Sequence, residues 1–172
     1  MSIQKTILFL ALTGVSTASL AAEAEKTPPA PSVFVKKASL DGMTEVEAGK
    51  LALSKSKDPA IRGFAERMVS DHGRANAELA SLAKSKGIAA PKELDAEHKA
   101  MVSALNAKSG GDFDHAYAEH TQMDHSKAIS LFESAAGSSD RDFAQFAEKT
   151  LPTLKEHKQL AEKLPGKSAP GG

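Results

Sequence analysis

The 172-residue chain has no cysteine and no tryptophan, a single tyrosine, and no excess charge of either sign. Lacking cysteine, it has no disulfide framework and no thiol nucleophile, so its stability must come from apolar burial. With Lys+Arg and Asp+Glu both at 22, it has no bulk field to attract nucleic acid or anionic lipid. The apolar run at residues 7–15 is too short to span a bilayer, and no second one follows. A Gly-rich phosphate loop, a His-Glu-x-x-His zinc motif and an EF-hand loop are also missing, and Gly110-Gly111 reads as a helix break.

What is present begins with a leader. Lys5, the apolar run and Ser19-Leu20-Ala21 follow the pattern of a signal peptide. Residues 1–21 are therefore expected to be cleaved near Ala21, delivering the protein to the periplasm or outside the cell. Residues 22–32, with Pro28-Pro29-Ala30-Pro31, are expected to be a Pro-rich extended tether, and 165–172 a disordered tail. Between them, residues 33–164 form one domain rich in the helix formers Ala, Leu, Lys and Glu.

Apolar residues at alternating spacings of three and four predict helices over 33–56, 61–86, 91–107, 112–136 and 140–164. The second has the cleanest seam: Ile61, Ala65, Met68, His72, Ala75, Leu79 and Leu82, with Asp58 as cap and Gly87 as stop. The last is similar, with Phe143, Ala147, Thr150, Leu154, His157, Ala161 and Leu164, and Pro152 is expected to kink it. On the first helix Phe34, Ala38, Asp41, Glu45, Ala48 and Ala52 share a face, with Glu47 on the flank. The fourth reads as Asp114, Ala118, Gln122, His125, Ile129, Phe132 and Ala136, against a competing face with Phe113, Tyr117, Asp124 and Leu131. Two tight hairpins joined by a long link with its own short helix make an all-α, ferritin-like four-helix bundle with one long crossover.

Each long helix offers one polar residue to the interior: Glu45, His72, His125 and His157. Three imidazoles and a carboxylate suit Zn, Cu, Ni or Fe, so these four are the candidate ligands of one transition metal. The competing expectation is an internal hydrogen-bond network without metal. Glu45 and His72 stand equally far from the first hairpin turn and are expected to pair. His157 lies about five residues further from its turn than His125 does, a gap of about 7–8 Å. His120 points about 140° away from His125 on the same helix, and His98 and His115 are expected at the surface. Tyr117 is expected half-buried with its hydroxyl bonded. Every histidine directly follows an acidic residue, although such neighbours project about 100° apart and cannot share a ligand.

Phe34, Glu45-Val46-Glu47 with Leu51-Ala52, Phe64-Ala65-Glu66-Arg67-Met68 with Asp71-His72, Phe113-Asp114 with Tyr117, His125, and Leu151-Pro152-Thr153-Leu154 with His157 together make a spaced pattern. In it the chain resembles the exported bacterial family called domain of unknown function 4142, a ferritin-like group often labelled as predicted outer-membrane proteins. The resemblance implies that Glu45, His72, His125 and His157 share a site, with Asp114 and Tyr117 in support, and it implies no activity. Neither a β-barrel pattern nor a lipobox cysteine accompanies that label here. A diiron oxidase would need Glu-x-x-His on two helices, but Val69 and Leu154 stand three residues before His72 and His157. The favoured assignment is therefore a non-enzymatic structural or stress-linked protein of the cell envelope, acting through a protein partner there. The alternative is a periplasmic module that binds a metal or small ligand through the Glu/His site.

Overall fold

The computed structural model describes residues 27–165, so the expected signal peptide, residues 22–26 of the expected tether and most of the expected tail lie outside the described residues. Helix α1 (Pro31–Lys55) begins at a proline, which has no N–H to lose in the first turn. After a connection of three residues α2 (Pro59–Ser85) starts, with the Asp58 carboxylate accepting the N–H groups of Ala60 and Ile61. It ends in a Schellman turn, with Gly87 at φ 69° and the Ile88 N–H reaching the Ala83 carbonyl at 2.8 Å. The crossover helix α3 (Ala96–Asn106) starts five residues later than the sequence suggests, because Asp95 rather than Pro91 opens it by capping the His98 N–H. Helix α4 (Gly110–Ala135) and helix α5 (Arg141–Ala161) complete the chain, and Asp140 caps α5. Helix α5 runs through Pro152.

Helix α1 packs against α2 and α4, and α5 against α4 and α2, which gives the four-helix bundle; α3 lies across α1 and α4. It is tied there by His98, which bonds Asp95 at 2.6 Å and approaches Asp41 of α1 at 3.4 Å. The His98 side chain is only 15% exposed, so it is a crossover anchor rather than the surface residue expected. Thr27 meets the C-terminal end of α4, where the Ser134 hydroxyl donates to its carbonyl at 3.1 Å. Among the described residues there is no strand, and no helix is long and apolar enough to cross a membrane.

The core divides into two apolar clusters. One is aromatic, with Phe34, Phe132, Phe143 and Phe146. The other gathers Ile61, Phe64, Met68, Phe113 and Tyr117. Glu45, His72, Thr121, His125 and His157 are also buried. The buried face of α4 keeps Ala118, His125 and Phe132 of the expected register but otherwise corrects it: the remaining buried residues are Phe113, Tyr117, Thr121, Ala128 and Ala135. Burial of the two rings at its start outweighs Asp114 and Gln122, and Thr121 follows them inside because its hydroxyl bonds the Tyr117 carbonyl.

Glycine lets α1 approach α2 closely. A Cβ on Gly49 would lie 2.9 Å from Val69 Cγ2 and 3.1 Å from the Ala65 carbonyl, a backbone atom that cannot step aside. Gly49→Ala is therefore expected to destabilise by about 1–2 kcal/mol despite alanine's better helix propensity. Gly63→Ala, with nothing within 4 Å, should instead stabilise slightly. Urea unfolding of the two variants checks the opposite signs.

Candidate metal centre

His72, His125 and His157 converge from α2, α4 and α5, each offering a nitrogen within 4.8 Å of the others. His72 Nε2 and His125 Nε2 are 3.3 Å apart, and the ring centroids of His125 and His157 are 5.4 Å apart. The axial gap expected between the last two is closed by the lean of helical side chains toward their own N-terminus. On antiparallel helices this moves His125 away from the α4–α5 turn and His157 toward it. The Phe64 ring lies 6.4 Å from each of the same two rings, edge-on.

Neighbouring groups fix the tautomers. His125 Nδ1–H donates to the Thr121 carbonyl at 2.8 Å, leaving Nε2 as a lone pair. His157 Nε2–H donates to Asp71 Oδ2 at 2.9 Å, and its buried Nδ1 has no protein partner. Asp71 is held by Arg74 in turn: burial, the largest single effect, pushes its carboxyl up, but the bonds to His157 and Arg74 together outweigh it and keep the group below the usual range. Burial pushes all three imidazoles below the ordinary histidine range: His72 well below, His125 to about 4, and His157 less, with Asp71 opposing. The triad is therefore neutral at pH 7, the form that ligates metal.

Glu45 does not pair with His72. It is 3% exposed, as the α1 register required, while the Glu47 side chain is 45% exposed. Yet among the described residues neither Glu45 oxygen has a hydrogen-bond partner, and an imidazole nitrogen, His125 Nδ1, comes no nearer than 3.9 Å. Equal distance from a turn fixes height but not direction: His72 turns toward α4 and α5, whereas Glu45 faces α4 and groups there with His120 and Asp124. His120, left out by the sequence reading, thus meets α1 by pointing away from His125. Asp114 Oδ1 and the Tyr117 hydroxyl are buried without partners outside the triad. Tyr117 is fully buried rather than half-buried, and it stacks on Phe113 with centroids 6.1 Å apart.

Residues 16–164 match the family described as domain of unknown function (DUF4142). The chain belongs to this family. Its fold is shared by a DUF305 fragment from Deinococcus radiodurans, known from a crystal structure, with a TM-score of 0.69 at 12% identity. The match covers 79% of this DUF4142 chain and 95% of the fragment. No curated protein matches the sequence.

Sequence reasoning missed Asp71, although the acidic residue preceding every histidine carried the signal. Asp71 cannot share a ligand with His72, but its offset of about 100° aims it at the adjacent helix, where His157 stands. Glu45 shows the opposite situation, a carboxylate with nothing to stabilise it. Burial first, then the charges of Asp124 and Asp41, push it well above the usual carboxylate range. A folded pKa above the unfolded one means that its contribution to stability is greatest below about pH 4.5 and is lost as the pH rises through the folded value. In metal-free protein at pH 7, Glu45→Gln should be more stable than wild type by about 1–3 kcal/mol, the advantage shrinking toward pH 4.5. Denaturant unfolding across pH 4.5–8 checks this, and a Gln variant less stable at pH 7 would contradict it.

Proposed function

We propose that this protein is an exported metal-binding bundle of the cell envelope, in which His72, His125 and His157 hold one zinc or copper ion. The observation that carries this is a buried set of three neutral imidazoles in which partners leave lone pairs at His125 Nε2 and, above all, at the unpaired His157 Nδ1. A tetrahedral ion with bonds of about 2.0–2.1 Å holds its nitrogens about 3.3–3.4 Å apart. His72 and His125 are separated by 3.3 Å, long for a hydrogen bond but suited to that edge. Asp71 and the Thr121 carbonyl supply the outer bonds that orient metal-ligating histidines.

Size favours an ion over an organic ligand or substrate. The adjoining cavity, which reaches Glu45, Asp124, His72 and His125, has a volume of about 30 Å³. Small-molecule pockets run to about 300–1,000 Å³. Capture or storage of the ion follows more directly from this enclosure than turnover does.

Chelator-stripped protein titrated with Zn²⁺ or Cu²⁺ should bind an equivalent that His72→Ala and His125→Ala lose. Asp71→Asn, which leaves the ligands in place, should weaken that equivalent about 10–100-fold. Uptake unchanged in His72→Ala, or no uptake at all, would sink the proposal in favour of a metal-free hydrogen-bond network.

A further inference from the structure

Glu45, His120 and Asp124 each offer a ligand atom within 4.8 Å of the others, between α1 and α4. His120 Nε2 and Asp124 Oδ2 are 3.4 Å apart, and their side chains are 16% and 12% exposed. Glu45 is 3% exposed, and both of its oxygens lack a protein partner. A buried carboxylate in that condition is strongly unfavourable unless a positive charge meets it. The nearby cations do not fill that role. Lys127 reaches the far oxygen of Asp124 at 3.5 Å from a side chain that is 70% exposed, and His98 is engaged with Asp95 and Asp41. Asp41, Glu45 and Asp124 all border the same cavity of about 30 Å³, which brings three carboxyl groups together where there is room for an ion.

We infer that Glu45, His120 and Asp124 form a second cation site, separate from the imidazole triad, which takes a harder divalent ion such as Mn²⁺ or Fe²⁺. Two carboxylates and one imidazole make an oxygen-rich ligand set that neutralises a divalent charge, whereas three neutral imidazoles suit zinc or copper. The sites meet at His125, whose Nδ1 is 3.9 Å from Glu45 Oε1 while its Nε2 faces His72. The inference does not depend on the triad holding an ion.

The test uses Mn²⁺ alone as probe. Chelator-stripped protein is titrated with Mn²⁺, and the free aquo ion is counted by electron paramagnetic resonance. Wild type should bind one Mn²⁺; Glu45→Gln and Asp124→Asn should each weaken binding at least tenfold; His72→Ala should retain it. Asp124 enters the site from α4, so its variant tests the ligand set independently of the stability change that Glu45→Gln brings on α1. Absence of Mn²⁺ binding in wild type, or binding unchanged in both carboxylate variants, overturns the second site and leaves the triad untouched. Loss of Mn²⁺ in His72→Ala as well, with that variant folded, also overturns it, because the ion would then be using the triad.

Discussion

Phe34→Ala is expected to lower the melting temperature by about 10–20 °C, corresponding to a loss of about 3–5 kcal/mol. Phe34 is 1% exposed, and its ring meets Phe132, Phe143 and Phe146 edge-on at centroid distances of 5.1, 6.2 and 6.2 Å. One side chain from the first turn of α1 thus joins the first hairpin to both helices of the second. Truncation leaves a hole walled by three rings, which cannot collapse without moving helices. Met123→Ala, at a residue 52% exposed, should change stability by less than about 0.5 kcal/mol. Thermal unfolding followed by circular dichroism compares the two, and a Phe34→Ala loss no larger than that of Met123→Ala would contradict this packing.

The second large effect is that of the metal. An ion present at about a thousand times its dissociation constant stabilises the folded state by about 4 kcal/mol. Removing zinc or copper with a chelator should therefore lower the melting temperature by about 10–15 °C. His72→Ala should melt at one temperature with or without the ion, since its triad is already broken. A wild-type curve indifferent to both metal and chelator would favour the hydrogen-bond network.

Sequence and structure agree most closely where one polar residue interrupts an otherwise apolar seam. His72 and His157 could be placed inside because their neighbours along the seam, Met68 and Ala75 for the one and Leu154 and Ala161 for the other, are apolar. Helix α4 was harder to read. Its inward face includes Thr121 and Ala128, which carry little hydrophobic signal, while Asp114 and Gln122 fall close enough to that face to suggest a rotated register. The hairpin lengths correctly set the height of Glu45 relative to His72. Direction depends on which neighbour each helix faces, and that is a property of the assembled bundle. The same limit concealed the bond from His157 to Asp71 and the meeting of His120 with Glu45, each of which joins residues on different helices.

The triad draws His72 from the first hairpin and His125 and His157 from the second. An ion held there would act as a clasp between halves that the crossover alone connects covalently. Its departure would then require the hairpins to part, so the rate of metal exchange would be set by the breathing of the bundle rather than by diffusion through it. Because these contacts form only when both hairpins have docked, bound metal would slow unfolding far more than it speeds folding. A protein built this way would hold its ion kinetically, releasing it on the timescale of its own opening even after the surroundings had been emptied of metal.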